Sequence, residues 1–294
     1  MTRVVFIPAG DLTNAGSRMR AYWPARHLPE AAVVTWEEIR GGEMPEADAY
    51  VFQKLVDVTL MRSLRDGGAR VFWDVCDPAW WFNPTDAREA AEVADGVVAS
   101  SWPLAKDFEE WSGLKAHMIP DRLDLGHFTH QREQRETRPV RFIWFGSAQN
   151  RIALYAAGAN LARLRANGHE VALTVFDNEP GTSLPALEAE LPVFYTRWAL
   201  EREAETLAAH DIALLPRYPG PWGQVKSRNR TFTAWAAGLP VTEGTDYRSL
   251  RSLVTDEQRR REEAAEGRGI VRQYYSSEQS AAEWQGLIEE YGNG

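Results

Sequence analysis

Two basic residues, Lys226 and Arg230, stand four positions apart where a Pro/Gly-rich loop leads into a predicted helix. Residues at this spacing share one face of a helix, and Ser227 and Asn229 between them are good N-capping residues. Cations at a helix start oppose the helix dipole unless an anion is bound there, and the free N–H groups of the first turn attract an anion. The segment therefore predicts a diphosphate site. The alternative is a solvated basic turn in front of a core helix.

Two aspartates, Asp74 and Asp77, follow a predicted strand in the segment FWDVCDPAWWFNP. A carboxylate at this strand end could deprotonate or position an acceptor hydroxyl, or hold a hydroxyl of a donor sugar. The alternative is that either aspartate caps a turn before Pro78. Trp80 and Trp81 could offer flat ring faces to a sugar or an apolar acceptor. The alternative interpretation is that both side chains pack in a core or between domains.

The loop after the first predicted strand, at residues 10–17, also points to a ligand. Gly16 lets the backbone approach a bound group closely, and Ser17 follows it. Arg18 and Arg20 open the next helix, where a cation indicates an anion, either a donor phosphate or an acidic acceptor. We expect these four residues near the acceptor, and the simpler alternative is a surface role for one of the arginines.

Short apolar strands alternate with amphipathic, helix-length stretches in the first half of the chain. The predicted strands are 4–7, 32–35, 49–52, 70–74, 96–99 and 116–119, and the predicted helices are 17–28, 58–66, 86–94 and 102–111. This alternation is typical of parallel βαβ units in a doubly wound sheet. Continuous apolar strands such as VVFI and GVVA fit a sheet that is covered on both faces.

A polar stretch at 120–139 interrupts the alternation and is predicted as a linker. The pattern then restarts with predicted strands 141–145, 171–176, 193–196, 212–215, 240–242 and 269–271, and predicted helices 151–167, 200–209, 227–237 and 278–291. The sequence therefore predicts an α/β fold with two Rossmann-like, doubly wound domains facing a central cleft. We divide the chain into a first domain at residues 1–125, a second domain at 126–276 and a final helix at 277–294. Ligands of such sheets bind beyond the carboxyl ends of the strands.

Composition and missing motifs exclude several classes of protein. Apolar residues make up 44% and charged residues 26% of the 294 residues, which is ordinary for a globular protein. The single Cys76 excludes an internal disulfide and a cysteine metal cluster. No apolar run is long enough to span a bilayer, so we expect a cytoplasmic protein without a transmembrane segment. The chain lacks G-x-G-x-x-G, a P-loop, H-E-x-x-H, D-x-D and G-x-S-x-G.

Charge is distributed unevenly along the chain. The formal net charge is −9, and residues 1–130 hold 13 Lys and Arg against 20 Asp and Glu. Nucleic-acid binding depends largely on the neutralisation of phosphates. The acidic first half therefore argues against a nucleic-acid partner, although it does not exclude a local basic groove.

Several segments resemble GT-B glycosyltransferases similar to glycosyltransferase family 4. HDIALLPRYPGPWGQVKSRNRTFTAWAAGLPV resembles their donor-binding segment, and four further segments match in the expected order: GSRMRAYWPARHL, VVASSWPLAKDF, IPDRLDLGHF and FIWFGSAQNRIAL. The resemblance covers nearly the whole chain. It implies that residues 1–125 are an acceptor-binding domain, that residues 126–276 are a nucleotide-sugar-binding domain, and that the final helix at 277–294 crosses back to the first domain. One departure is clear: the two glutamates that the family carries eight residues apart are missing. The second would fall on Thr233, and the first on Val225 or Pro219.

The resemblance implies the transfer of a sugar from a nucleotide diphosphate sugar, such as a UDP or GDP sugar, to an unknown glycan, lipid-linked or small-molecule acceptor. It implies that this transfer needs no metal ion and retains the configuration at the anomeric carbon. The nucleotide sugar is then a co-substrate, and no cofactor is needed. We expect the diphosphate at Lys226, Ser227, Asn229, Arg230, Gly146, Ser147 and Asn150, the donor sugar at Gly220, Trp222, Gly223 and Gln224, and the nucleobase and ribose at Asp177, Arg197 and Trp198.

Other functions stay open at this point, because a fold does not fix a function. An epimerase or phosphorylase acting on nucleotide sugars can use the same fold. The missing glutamates also fit a non-catalytic protein that binds sugar nucleotides. A phage-type transferase acting on DNA bases shares the architecture, but the acidic first half disfavours it.

Overall fold

The computed structural model describes residues 2–42, 44–179 and 181–292 of the chain. These residues form two compact units, each built on one parallel sheet. Unit 1 comprises Met1–Asp124, Gln224–Ser227 and Tyr275–Gly294, and unit 2 comprises Leu125–Gly223 and Arg228–Tyr274. The predicted α/β class with two Rossmann-like units is thereby confirmed.

Unit 1 contains a six-stranded parallel sheet. Its strands are β1 (Val4–Pro8), β2 (Ala31–Val33), β3 (Ala49–Gln53), β4 (Arg70–Val75), β5 (Gly96–Ala99) and β6 (Ala116–Met118), in the spatial order β2-β1-β3-β4-β5-β6. The connecting helices are α1 (residues 15–25, with a π-helical turn at Arg18–Tyr22), α2 (Trp36–Arg40), α3 (Val58–Asp66), α4 (Pro84–Val93) and α5 (Trp102–Ser112). Strand order reverses between β1 and β3, and the crevice beyond such a switch point is where ligands bind in open α/β sheets.

Both faces of this sheet are buried. Successive side chains of a strand point to opposite faces, so Val5 and Phe6 of β1 enter two different apolar clusters. Gln53 and Asp74 pair in register at the carboxyl ends of β3 and β4. The sheet therefore presents polar groups at the edge where a ligand is expected.

Unit 2 contains a five-stranded parallel sheet. Its strands are β7 (Val140–Gly146), β8 (Val171–Asp177), β9 (Val193–Arg197), β10 (Ile212–Leu214) and β11 (Val241–Thr242), in the order β11-β10-β7-β8-β9. The helices are α6 (Leu154–Ala166), α7 (Pro185–Glu188), α8 (Glu203–Ala208), α9 (Pro221–Val225), α10 (Asn229–Ala236), α11 (Tyr247–Thr255) and α12 (Glu257–Tyr274), and a short 3-10 helix, Ala148–Ala153, precedes α6. The switch point of this sheet lies between β7 and β10.

The last helix, α13 (Ser277–Gly292), belongs to unit 1. It buries Trp284 against one face of the six-stranded sheet, where the indole meets the rings of Phe6 and Phe72 edge-on at centroid distances of 5.8 and 6.0 Å. Large aromatic side chains contribute much of the buried apolar area of a core. This face of the unit 1 sheet is thus covered by a segment from the far end of the chain.

The predicted strand at 269–271 is wrong, because these residues lie within α12. Ala264, Gly267 and Val271 are buried and recur at the three- and four-residue spacing of one helix face. Three apolar residues in a row fit a strand and a buried helix equally well. The surrounding helical period decides between them here.

The predicted helix at 227–237 begins later than expected. α10 starts at Asn229, α9 ends at Val225, and the three residues between them are not helical. Arg228 stands at the N-cap of α10 without a side-chain capping bond, so neither Ser227 nor Asn229 caps it. Lys226 and Arg230 therefore do not share the first turn of one helix.

Several helices have no counterpart among the predicted helices, and α2 and α11 are two of them. Thr35 and Glu38 form a reciprocal capping box at the start of α2, with each side chain bonded to the other's backbone N–H. This T-x-x-E pattern was available in the sequence as a helix-start signal. At α11 the side chain of Asp246 accepts the N–H of Arg248.

The stretch 120–139, predicted as a linker, is bound into both units. In unit 1, Leu123 donates its N–H to the carbonyl of Tyr275 at 3.0 Å. In unit 2, Arg132 donates its N–H to the carbonyl of Ala237 at 2.7 Å, and its guanidinium pairs with Asp211. The chain passes from one unit to the other between residues 124 and 125.

Across the described ranges, no helix has both the length and the apolar character needed to cross a bilayer.

Replacing Trp284 by Ala should destabilise unit 1 by about 3–5 kcal/mol, because the change removes a fully buried aromatic and leaves a cavity beside Phe6 and Phe72. Urea denaturation followed by intrinsic fluorescence and circular dichroism measures the loss. Gln285→Ala, on the exposed face of the same helix, is the matched control and should change stability by less than about 0.5 kcal/mol. Equal effects of the two changes would contradict the packing described for α13.

Candidate functional site

A buried arginine, Arg20, lies at the carboxyl edge of the unit 1 sheet. Its Nε donates to Asp74 at 2.7 Å, and Nη1 donates to the Ile119 carbonyl at 2.8 Å and to Asp121 at 3.0 Å. Burial opposes the charge of Arg20, but the neighbouring Asp74 outweighs it and raises the pKa of the guanidinium. The expected anion beside Arg20 is therefore supplied by the protein's own carboxylates.

Arg18 is also buried, contrary to the expectation of a surface or acceptor-facing cation. Its Nη1 donates to the Leu12 carbonyl at 2.9 Å, and its guanidinium lies 5.2 Å from the centre of the Trp23 ring. Ser17 is buried as well and donates its hydroxyl to Gln53 at 2.9 Å, while Gly16 faces the thiol of Cys76. The side chains of Ser17 and Arg18 thus support the backbone at the switch point rather than project from it.

Asp77, which follows β4, holds two lysines. Its carboxylate oxygens pair with the ammonium groups of Lys54 and Lys226. Asp77 therefore does not act as a turn cap through its side chain, and it keeps 20% of its side-chain surface exposed. By contrast, Asp74 is fully buried and bound by Arg20, so it fits a structural role rather than direct contact with a substrate.

Lys54, which the sequence prediction missed, has an unusual backbone. It follows β3 with a φ of +63°, a conformation that is uncommon for a residue other than glycine. Its N–H donates to the Asp74 carbonyl at 2.9 Å, which helps to fix this geometry. Burial lowers the pKa of Lys54, but the acidic side chains around it, among them Asp77, outweigh burial and raise the pKa overall. The neighbouring thiol of Cys76 is itself buried, and burial raises its pKa to about 12.

The segment 224–227 is part of unit 1, although the sequence prediction placed it in the second domain. Val225 is buried in a unit 1 apolar cluster, and its carbonyl accepts the hydroxyl of Ser101 at 2.7 Å. Lys226 binds Asp77, and the hydroxyl of Ser227 donates to Asp121. The anion that compensates Lys226 in this structure is thus Asp77.

The two predicted aromatic contacts have different environments. Trp80 belongs to the core and stacks on Trp111 at a centroid distance of 5.6 Å, so the packing interpretation holds for it. Trp81 keeps 38% of its surface exposed. Both indole N–H groups donate to Asp107, at 2.7 and 2.9 Å. Of the two, Trp81 is the one that keeps exposed surface.

In unit 2, Arg230 lies where β7 ends. Its Nη1 donates to the Phe145 carbonyl at 3.4 Å, and a Cβ added at Gly146 would lie 3.4 Å from the same atom. Gly146 has a φ of +151°, which favours glycine. Burial lowers the pKa of Arg230, and among the described residues no carboxylate pairs with it. Arg230 is therefore a half-buried cation at the switch point of unit 2 for which the described residues supply no carboxylate counter-ion.

The neighbouring loop continues into the 3-10 helix Ala148–Ala153. Ser147 stands at its N-cap without a side-chain capping bond, and Asn150 is half-buried within it. The next residue, Arg151, is buried and binds Asp177 through Nε and Nη2 at 2.5 and 2.7 Å. The polar backbone of this loop and the side chain of Ser147 therefore lie at the carboxyl end of β7, near Arg230.

Asp177 does not fit the predicted contact with a nucleobase or ribose. Its carboxylate is fully buried, is held by Arg151 and also accepts the Glu179 N–H at 2.9 Å. Of the other two residues predicted for this role, Arg197 is exposed at the end of β9, and Trp198 donates its indole N–H to Glu203 at 3.0 Å. The Arg151 ion pair explains why a buried aspartate is present at this strand end.

The loop predicted to hold the donor sugar contains α9. Gly223 donates its N–H to the Gly220 carbonyl at 3.2 Å, and a Cβ at Gly223 would overlap the Tyr218 carbonyl oxygen at 2.0 Å. The turn of the backbone thus accounts for this glycine. Trp222 is half-buried and Gln224 is exposed.

Sequence reasoning missed four polar residues of the unit 1 edge: Gln53, Lys54, Ser101 and Asp121. Each lies at the carboxyl end of a strand or in the chain that follows it, which is where ligands of such sheets bind. This position relative to the strands was the signal that the sequence offered for these residues. Within the described part of the chain, no three His, Cys, Asp or Glu side chains are grouped so as to hold a metal ion.

No family model and no curated protein matches the chain. Solved structures do match it. An alpha-glucosyltransferase in complex with UDP and a 13-mer DNA containing an HMU base has a TM-score of 0.71 and 11% identity, over 98% of this chain and 99% of that one. A glycosyltransferase from Rickettsia africae ESF-5 has a TM-score of 0.66 and 10% identity, over 98% of each chain.

The pneumococcal O-GlcNAc transferase GtfA, in complex with UDP and GlcNAc, matches with a TM-score of 0.55 and 10% identity, over 86% of this chain and 59% of that one. At such identities the likeness shows the fold alone, which is that of GT-B glycosyltransferases. The assignment to glycosyltransferase family 4 stays a prediction.

Replacing Arg20 by Leu should destabilise unit 1 by about 3–5 kcal/mol at neutral pH, because it leaves Asp74 and Asp121 buried without their partner. Burial raises the pKa of Asp74, and the opposing effect of Arg20 is lost in this variant. A buried carboxyl group whose pKa is raised in the folded state destabilises the folded protein least when it is protonated. The deficit should therefore shrink as the pH falls toward about 4 and grow as it rises above that value. Urea titrations at pH 5 and pH 8 measure both effects, and a deficit that is the same at both pH values would count against the buried pair.

Proposed function

We propose that this protein is a glycosyltransferase that transfers a sugar from a nucleotide diphosphate sugar, a UDP sugar rather than a GDP sugar, to a hydroxyl of an acceptor. The observation that carries the proposal is Arg230, a half-buried cation without a carboxylate partner among the described residues, at the switch point of unit 2. Burying an unpaired charge is costly, so the site favours an anionic ligand. Several glycosyltransferases that share the fold have been solved in complex with UDP, which supports a nucleoside diphosphate as this anion.

The donor side of the proposed site is built on unit 2. The guanidinium of Arg230 and the first N–H groups of α10 would bind the diphosphate, together with the backbone around Ser147 and Asn150. Gly146 places no side chain between this loop and Arg230. Negative charge develops on the departing nucleoside diphosphate, and fixed positive groups stabilise it most where they are already in place. Positive side chains would thereby supply the charge stabilisation that a divalent ion supplies elsewhere.

The acceptor side is proposed on unit 1. Asp77 is the carboxylate at the sheet edge that retains exposed surface, so we assign it the role of positioning or deprotonating the acceptor hydroxyl. Trp81 offers a partly exposed ring face nearby in the chain. Retention of configuration at the anomeric carbon is part of the proposal, and the configuration of the product, read by NMR, tests it.

Transfer to a DNA base is a second candidate. It is favoured by the match of this chain over nearly its whole length to a transferase whose structures contain DNA, one with an HMU base and another with a central A:G mismatch. The acidic first half of the chain opposes it. An acceptor panel should therefore contain duplex DNA with and without an HMU base, alongside glycans, lipid-linked acceptors and small alcohols.

Product analysis separates the remaining functions. A new nucleotide sugar indicates an epimerase, turnover that requires phosphate indicates a phosphorylase, and tight binding without any turnover indicates a non-catalytic protein. Transfer of labelled sugar to any member of the acceptor panel supports the proposed transferase.

Replacing Arg230 by Ala should weaken UDP binding by about 1.5–3 kcal/mol, or roughly ten- to 150-fold, because a charge-assisted hydrogen bond to phosphate is lost. Isothermal titration calorimetry with UDP measures the change. Arg165→Ala is the matched control: this exposed arginine lies in the last turn of α6, at the amino edge of the sheet, and its removal should leave UDP affinity unchanged. If Arg230→Ala binds UDP as the unmodified protein does, the diphosphate site is misplaced.

Transfer should continue in EDTA, because Arg230 and the helix N–H groups are proposed to stabilise the leaving diphosphate without a metal ion. Initial rates of sugar transfer are compared with and without chelator, after dialysis against EDTA. Loss of turnover in EDTA that is restored by Mg²⁺ or Mn²⁺ would overturn this part of the proposal.

A further inference from the structure

Three aromatic side chains are exposed at the carboxyl edge of the unit 1 sheet. Phe82 keeps 71% of its surface exposed, Trp102 keeps 69% and Trp81 keeps 38%. Trp81 and Phe82 follow β4, and Trp102 follows β5, its neighbour in the parallel sheet. Because the carboxyl ends of neighbouring parallel strands meet at one edge of a sheet, the three rings lie at the same end of unit 1. They are called the aromatic surface below.

Hydrogen bonds join the two parts of the aromatic surface. The indole N–H of Trp81 donates to Asp107 at 2.9 Å, and the indole of the buried Trp80 donates to the same carboxylate oxygen at 2.7 Å. Asp107 belongs to α5, the helix that begins at Trp102. One carboxylate therefore ties the loop after β4 to the helix after β5, and it fixes the orientation of the Trp81 ring.

Asp107 is a half-buried carboxylate for which the described residues supply no cationic partner. Its hydrogen bonds come from two neutral indoles. Lys106, its neighbour in the chain, pairs with Glu110 at 3.5 Å instead. The face of an aromatic ring is also negative and attracts cations. A carboxylate beside exposed rings is therefore suited to a ligand that carries positive charge.

The chain around the aromatic surface is strongly acidic. Residues 77–112, which contain all three rings, hold eight Asp and Glu against two basic residues, Arg88 and Lys106. The Arg88 guanidinium donates to two backbone carbonyls at the end of α5, so both basic groups are already engaged within unit 1. A surface with this balance attracts a cationic partner, and it repels polyanions such as DNA and lipid-linked phosphates.

We propose that the aromatic surface binds an oligosaccharide of amino sugars as the acceptor. The C–H groups on the face of a sugar ring pack against an aromatic ring, and the protonated amines are attracted by Asp107 and by the ring faces. Each sugar unit also carries the hydroxyl groups that the reaction needs, which the side chains of lysine and arginine lack. The acceptor role rests on the proposed function, in which Asp77, four residues before Trp81, acts on the acceptor hydroxyl.

The test uses two matched probes, the hexamer of glucosamine and the hexamer of N-acetylglucosamine, titrated into the full chain by isothermal titration calorimetry at mildly acidic pH. The two hexamers differ in whether each amine is charged or acetylated. The charged hexamer should bind at least about fivefold more tightly at low salt, and this advantage should shrink as salt screens the charge contacts. Equal affinities of the two hexamers, or no binding of the charged one, would overturn the proposal.

Trp102→Ala and Phe82→Ala should each weaken binding of the glucosamine hexamer by about two- to tenfold, because each change removes a face on which a sugar ring packs. Leu114→Ala is the matched control, since Leu114 is an exposed apolar side chain just beyond the other end of α5 and should leave the affinity unchanged. Circular dichroism melting verifies that the variants are folded. Unchanged affinity in both ring variants contradicts the placement of the ligand.

Asp107→Asn keeps an oxygen that accepts from the indoles but removes the charge. It should weaken binding of the glucosamine hexamer by about two- to fivefold, the range of a partly exposed charge contact. Asp66→Asn is the matched control, because Asp66 is an exposed carboxylate at the last residue of α3. If the two variants bind the glucosamine hexamer equally well, the charge contact of Asp107 is refuted.

The remaining outcomes separate this inference from the proposed function. If hexalysine, or duplex DNA with an HMU base, binds as tightly as the glucosamine hexamer and depends equally on Trp102 and Phe82, the amino-sugar occupant is wrong. If UDP binds and Arg230→Ala weakens it, but the glucosamine hexamer does not bind, the inference fails and the donor site stays in place. If the hexamer binds through the aromatic surface but UDP does not bind, the surface is supported and the transferase fails.

Discussion

The buried contact of Arg20 with Asp74 and Asp121 is the interaction on which the functional edge of unit 1 depends. It joins α1, the end of β4 and the chain that leaves β6. A buried ion pair adds little net stability compared with apolar packing, but loss of one partner is severe. The ion pair therefore serves mainly to fix the positions of these groups. Arg20 orients Asp121, which accepts a hydrogen bond from the Ser227 hydroxyl, and this bond helps to place Lys226 beside Asp77.

Arginine–aspartate pairs recur in unit 2, and Arg230 differs from them. Arg132 pairs with Asp211, and Arg151 pairs with Asp177. In each case a buried guanidinium is neutralised by a carboxylate at an end of a strand. Arg230 and Arg260 both lack a carboxylate partner among the described residues, but they differ in their other contacts. The Nη groups of Arg260 donate to three backbone carbonyls, whereas the described polar contact of Arg230 is one backbone carbonyl at 3.4 Å. Arg230 therefore has the character expected of a ligand-binding group.

The sequence was sufficient for most of the sheet but not for the site. β1 and β5 are predictable because a strand buried on both faces must be apolar throughout, as VVFI and GVVA are. The strand wrongly assigned at 269–271 shows the limit of that rule, because a buried helix face supplies similar runs. The ion pair of Lys226 with Asp77 spans 149 positions, and no local pattern encodes such a contact. Burial of Arg20 and Asp177 likewise depends on partners that are distant in the sequence, which local propensity and spacing do not predict.

Unit 1 is discontinuous in the chain, and this affects how it can be assembled. Its sheet is formed by the first 124 residues, yet one face is covered by α13, which follows the whole of unit 2. During synthesis the apolar surface around Phe6 and Phe72 is therefore complete long before Trp284 exists to cover it. Such a surface is open to non-specific association until the last helix emerges. Dissection of the protein into independent halves is constrained for the same reason: a fragment cut after residue 124 retains the strands but lacks the helix that closes their core.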